Sequence, residues 1–123
     1  MSKEEYNLQC QIITLLRYNH IFCFAIPNGE KREQKTVFSK KRGGYIKYSP
    51  TGVKLKAQGV LAGVSDIQIL LPSRCIFIEL KSLKGTQKDS QIEFEKNVKA
   101  LGFEYYLWNK LEDAQAFVKE IKK

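Results

Sequence analysis

The chain has 123 residues, of which 43% are hydrophobic and 28% charged. That balance suits one globular domain and excludes global disorder. Its formal charge is +8 with a pI near 9.4, and lysine and arginine are spread along the chain rather than held in one tail. Such an excess favours a polyanionic partner, of which nucleic acid is the usual one. Cys10, Cys23 and Cys75 are odd in number and far apart, which excludes a disulfide framework and the paired spacing of a zinc site. Cys10 and Cys23 lie in apolar contexts and read as small core residues of a protein in a reducing compartment. No apolar run approaches the roughly 20 residues of a membrane span, and no signal-peptide pattern opens the chain. The expectation is a soluble cytoplasmic protein.

Ser2-Lys3-Glu4-Glu5 reads as a capping box, with Ser2 as N-cap. Leu8, Ile12, Leu15 and Leu16 then recur at helical spacing, so a helix runs to about Tyr18. Phe22 to Ile26 reads as a strand, stopped by the turn Pro27-Asn28-Gly29. Glu30 to Tyr48 is the least regular stretch and is rich in cations, among them Arg32, Lys35, Lys40, Lys41 and Arg42. Gly43-Gly44 closes a two-residue hairpin there, or the segment is a mobile loop. Ser49-Pro50 looks like the start of a short helix to Gln58 that Gly59 ends, presenting Lys54 and Lys56.

Asp66 to Leu71 and Cys75 to Lys81 read as two strands joined by Pro72-Ser73-Arg74, and strands joined so tightly are antiparallel neighbours. A polar stretch from Ser82 to Asp89, with Lys84 and Lys88, leads to a helix from Ser90 to Leu101. Its apolar stripe is Phe94, Val98 and Leu101, and Gly102 ends it. Phe103 to Trp108 is a third buried strand. Asn109 caps a last helix that turns Leu111, Ala114, Val118 and Ile121 to the core. The order is helix, strand, variable segment, hairpin, helix, strand, helix, all in one domain.

Polar residues on apolar strands carry the chemistry. Side chains alternate along a strand, so Glu79 and Lys81 share a face and Leu80 points away. The hairpin sets the start of its first strand beside the end of its second, which brings Asp66 to Glu79 and Lys81. Two carboxylates can hold a hard divalent cation through oxygen, with the Leu80 carbonyl as a further ligand, and Mg²⁺ fits such a set. A cation there polarises a phosphodiester and acidifies a water, while Lys81 orients that water and offsets developing charge. The bland alternative is an edge-strand ion pair worth little, with Asp66 only a turn residue.

At these residues the sequence resembles the PD-(D/E)xK nuclease superfamily, and within it the VRR-NUC (virus-type replication-repair nuclease) family. The resemblance runs through Glu5, Ile26-Pro27-Asn28, Leu55 to Asp66 with its Gly59-Val60 and Gly63-Val64, Ile78-Glu79-Leu80-Lys81 and Gln91. Ser65 stands where the superfamily has its eponymous proline, which shapes backbone rather than doing chemistry. The resemblance implies an α/β, restriction-endonuclease-like core, a central mixed sheet flanked by helices. It also implies Mg²⁺, with Mn²⁺ substituting, and DNA phosphodiester hydrolysis. By carry-over Asp66 and Glu79 are metal ligands and Lys81 the catalytic lysine, with Gln91 and Glu5 completing the site; the capping box is a competing explanation for Glu5.

Compact phage-type members resemble Holliday-junction resolvases that act as homodimers. The expectation is therefore a structure-selective endonuclease on branched DNA, whose phosphates meet Arg32, Lys35, Lys40, Lys41, Arg42, Lys54, Lys56, Lys84 and Lys88. The rivals are a nuclease without junction preference and a DNA-binding module with an unused site.

Overall fold

The computed structural model describes residues 1–27, 35–41, 43–48 and 50–123. Asn28, Arg32, Arg42 and Ser49, and the side chain of Lys35, lie outside the described residues. The chain divides into two compact units, one of 1–28 with 63–123 and one of 29–62. Among the described residues no helix is long and apolar enough to cross a membrane.

The larger unit is built on a four-stranded sheet in the order β1-β4-β5-β6, from β1 (Phe22–Ala25), β4 (Ile67–Leu71), β5 (Arg74–Leu80) and β6 (Glu104–Trp108). β1–β4 and β4–β5 are antiparallel and β5–β6 is parallel, so the sheet is mixed. The parallel step is possible because α3 (Asp89–Ala100) crosses between β5 and β6. Helices α1 (Lys3–Tyr18) and α4 (Leu111–Ile121) complete the unit. The α/β architecture and its element order match the sequence expectation.

Alternation along β5 decides what lies on each face. Ile76, Ile78 and Leu80 join Ile67 and Ile69 of β4, Ile12 and Leu16 of α1, and Ala114, Phe117 and Val118 of α4 in one buried cluster. Phe77 points to the other face, where its ring meets Phe94 of α3 at 5.3 Å between centroids. Tyr105 of β6 lies against the same Phe94 ring at 6.2 Å. Glu79 follows Phe77 on that side of the strand.

The helix ends have distinct causes. Ser2 Oγ accepts the Glu5 N–H at 3.1 Å, as a serine N-cap should. Helix α4 is not capped by Asn109: the Asp113 carboxylate reaches back to the N–H groups of Asn109 and Lys110, at 3.0 and 3.3 Å. Leu101 is the C-cap of α3 and stands exposed rather than in an apolar stripe, and Gly102 follows with φ +86°. Cys10 is exposed too, against the expectation of a core residue, because it falls on the face of α1 opposite Leu8 and Ile12. Cys23 is buried as expected.

In the smaller unit β2 (Lys35–Ser39) and β3 (Gly44–Tyr48) form an antiparallel pair with Phe38 opposite Tyr45. The hairpin exists, but Gly44 pairs with Ser39 inside the ladder, so Gly43-Gly44 is not the whole turn. Helix α2 (Pro50–Ala57) ends as its glycine suggests. Gly59 takes φ +97°, and its N–H and that of Val60 return to the Lys56 and Leu55 carbonyls.

Candidate functional site

The site forms where β4 runs out before β5 does. β4 begins at Ile67, opposite Ile78, so the backbone of β5 beyond that point lacks a partner strand on this side. The Asp66 carboxylate fills the gap: its Oδ2 accepts the Leu80 N–H at 2.8 Å. Asp66 is fixed by its main chain as well, donating to the Ile78 carbonyl at 3.0 Å and accepting from Ile26 N–H at 2.8 Å. A residue held at three points, one of them its carboxylate, keeps the second carboxylate oxygen in one place. Lys81 N–H in turn donates to the Trp108 carbonyl at 3.0 Å, tying the residue after β5 to β6.

Glu79 is 2% exposed and Lys81 is 9% exposed, on the same side of the strand. Lys81 Nζ stands 3.7 Å from Glu79 Oε1. The same oxygen accepts from Gln91 Nε2 at 2.7 Å, while Gln91 Oε1 accepts the Lys88 N–H at the start of α3. Gln91 thus opens its helix and grips Glu79 with one amide. Glu79 Oε2 is buried and no described residue donates to it, while the Asp66 carboxyl lies close enough to share a proton with the Glu79 carboxyl.

Burial pushes the Glu79 carboxyl up to about 8, with the charge of Asp66 adding to the rise and Lys81 opposing it. The Asp66 carboxyl is raised as well, chiefly by burial, and the Leu80 N–H opposes that rise. Glu5 adds to both shifts. Its charge is felt at this pair, and its backbone N–H serves Ser2. The cap explains that N–H, and the Glu5 side chain lines the cleft beside Lys81.

The glycine of Gly63-Val64-Ser65-Asp66 has a tertiary reason. Its φ is +86°, and a Cβ there would collide with the Ser90 carbonyl. The loop that delivers Asp66 thus lies directly on the first turn of the helix that delivers Gln91. Ser65 is fully buried in that loop.

An orphaned buried oxygen beside a second carboxylate is what a small hard cation satisfies. Among the described residues no three His, Cys, Asp or Glu side chains form a metal-holding group by themselves. Mg²⁺ is commonly held by one or two carboxylates, with water and substrate phosphate completing the shell. The pair of Asp66 and Glu79 fits that pattern. Leu80 turns its N–H toward Asp66. Its carbonyl lies on the same edge of the strand, since the two groups of one strand residue share a direction.

Asp66, Glu79, Lys81, Gln91 and Glu5 are therefore neighbours at one end of the sheet. The cationic residues are divided between the two units. Lys84 and Lys88 are exposed on the segment after Lys81, in the larger unit. Lys40, Lys41, Lys54 and Lys56 are exposed in the smaller unit.

Sequence reasoning missed the open cleft of about 330 Å³ beside Lys81, whose lining includes Asn7, Gln11 and Asn109. The i, i+3, i+7 spacing of Glu4, Asn7 and Gln11 was the available signal, and it reads as a solvated helix face.

No family model and no curated protein matches this sequence. Solved structures do resemble it. One described as a VRR_NUC domain superposes with a TM-score of 0.62 at 11% identity, covering 96% of this chain and 97% of its own. Another, described as a VRR_NUC domain protein, gives 0.63 at 16% identity, covering 98% and 88%. The fold of this chain, nearly end to end, is that of the VRR_NUC domain.

Proposed function

We propose that the chain is a nuclease of the VRR-NUC family, a Mg²⁺-dependent endonuclease that hydrolyses DNA phosphodiester bonds and prefers branched DNA. The observation that carries this reading is the buried Glu79 beside Asp66, with one carboxylate oxygen unpartnered and Lys81 at 3.7 Å from the other. Asp66 and Glu79, with the Leu80 carbonyl, would hold the ion, and Mn²⁺ would substitute. When bound, the ion supplies polarisation of the scissile phosphate and a water acidified enough to attack at neutral pH.

The protein's own groups do the rest. Lys81 orients the attacking water by hydrogen bond and offsets charge on the phosphate as the bond breaks. Gln91 keeps Glu79 aimed by occupying Oε1, which leaves Oε2 for the ion. Glu5 accepts from water at the outer edge of the site. Phosphates away from the cut fall to Lys84 and Lys88 and to the cations of the smaller unit, Lys35, Lys40, Lys41, Lys54 and Lys56 with Arg32 and Arg42. Both units are read as parts of one nuclease domain. A homodimer would set two such sites about a two-fold axis, as symmetric incision of a four-way junction requires.

The test is wild type against Lys81→Ala on labelled four-way, flap and linear DNA, with and without Mg²⁺. The expected outcome is Mg²⁺-dependent cutting of branched DNA by the wild type and a loss of about 10³-fold or more in the variant, with DNA binding retained. Undiminished cutting by Lys81→Ala would reject the site. Equal rates on all three substrates would reject the branch preference alone.

A further inference from the structure

Besides Lys81 and Glu5, the cleft beside Lys81 carries groups that phosphate hydrolysis does not use. One wall is the face of α1 with Glu4, Asn7, Leu8 and Gln11, and the other carries Lys81, Ser82, Leu83 and Asn109. Its volume of about 330 Å³ is at the small end for ligand sites, which run from about 300 to 1,000 Å³. That suits one nucleotide and not a duplex. Leu83 stands two residues beyond Lys81 with 77% of its surface exposed. Leu83 is thus free to lie against an apolar surface that enters the cleft.

Charge selects what enters. Glu4 and Glu5 make the α1 wall anionic, so a phosphate is repelled from the cleft's interior. A neutral base with donors and acceptors on its edge is not. The amides of Asn7, Gln11 and Asn109 offer both kinds of group. None of the three side chains makes a hydrogen bond to another described residue.

Resting on the nuclease reading above, we propose that this cleft receives one nucleotide drawn out of the base stack next to the phosphate to be cut. Leu8 and Leu83 cover the base, and Asn7, Gln11 and Asn109 meet its edge. The phosphate stays on the lysine side, with Lys81 and the exposed Lys84. Drawing a base out of a stack is least costly where it is mismatched or already unpaired. Contact with a base face is tolerant of sequence, because every base has one. The cleft thereby converts looseness at a branch point into selectivity for DNA structure.

The test begins by mapping the cut on a labelled four-way junction in Mg²⁺. 2-Aminopurine is then placed at each nucleotide flanking the cut, and its emission is read when wild type binds in Ca²⁺. Emission at one flank should rise several-fold, and Leu83→Ala, an exposed change that leaves the core intact, should remove the rise. As a second measurement, an abasic nucleotide at that flank should slow the wild type about tenfold. The same abasic substrate should slow the Asn7→Ala, Gln11→Ala double variant little, because the contact is already gone. Flat emission at both flanks while the wild type still cuts the junction would overturn the proposal. So would an equal abasic penalty in wild type and double variant. A wild type that cuts nothing overturns the nuclease reading and this proposal with it, so the two failures are distinguishable.

Discussion

The sheet pairs a carboxylate with a cation at both ends of β5, and the two pairs are opposites. At its start, Arg74 grips Glu104 with two hydrogen bonds of 2.8 and 2.7 Å, and Tyr106 adds a third at 3.0 Å. That pair is substantially exposed, with side-chain accessibilities of 40% and 31%. Arg74 holds the Glu104 carboxyl below its ordinary range. At the other end, Glu79 and Lys81 are buried and stand 3.7 Å apart, and the Glu79 carboxyl is pushed up to about 8. The pair with ideal geometry is in water, where such contacts are worth little. The pair with poor geometry is out of water, where an incompletely paired charge is expensive. A fold that keeps the second arrangement tolerates a local cost, and such costs cluster at functional sites.

The comparison can be broken most forcefully at Gly63. Gly63→Ala puts a Cβ onto the Ser90 carbonyl at a positive φ. The expected cost is about 3 kcal/mol or more in a urea titration. If instead the variant is as stable as wild type, the loop and α3 do not meet as described. A smaller effect comes from Glu79→Gln without divalent cation. The folded Glu79 keeps a proton up to about pH 8, whereas the unfolded carboxyl releases it near 4.5. Its contribution is thus fully present below about pH 4.5 and lost as the pH rises through 8. Glu79→Gln, neutral throughout, should match wild type near pH 4.5. It should melt clearly higher at a pH above 8, by roughly 10 °C. Mg²⁺ should raise the wild-type midpoint there, where the Glu79 carboxylate is ionised and free to bind it, and leave the variant, which lacks that charge, nearly unmoved. The smallest effect belongs to Arg74→Ala, which should cost less than about 1 kcal/mol and leave cleavage unchanged. A loss of activity in that variant would mean that the exposed end of the sheet is coupled to the site.

The hairpin and its Asp66, Glu79 and Lys81 were legible because strand alternation and a short turn leave one register. The turn keeps even its strain local, with Ser73 at φ 60°. Contacts between distant segments were not legible. That Gly63 must lack a Cβ depends on Ser90, and that Gln91 holds Glu79 depends on how α3 crosses the sheet. The family resemblance pointed to Gln91, while the local pattern showed only a polar residue near a helix start. Cys10 was misread from apolar neighbours, although helical phase sets it apart from Leu8 and Ile12. The start of α4 went to Asp113 rather than Asn109, because a carboxylate three residues into a helix can cap as well as one before it.

Gln91 also carries a message about the order of events as the chain folds. Its amide has a single workable orientation, since the oxygen must face the Lys88 N–H and the nitrogen must face Glu79. The first turn of α3 and the aiming of Glu79 are therefore one event. A chain with its hairpin formed and α3 still unwound would possess both carboxylates and aim neither of them through Gln91. On the nuclease reading, cleavage should therefore require a wound first turn of α3 as well as a formed hairpin.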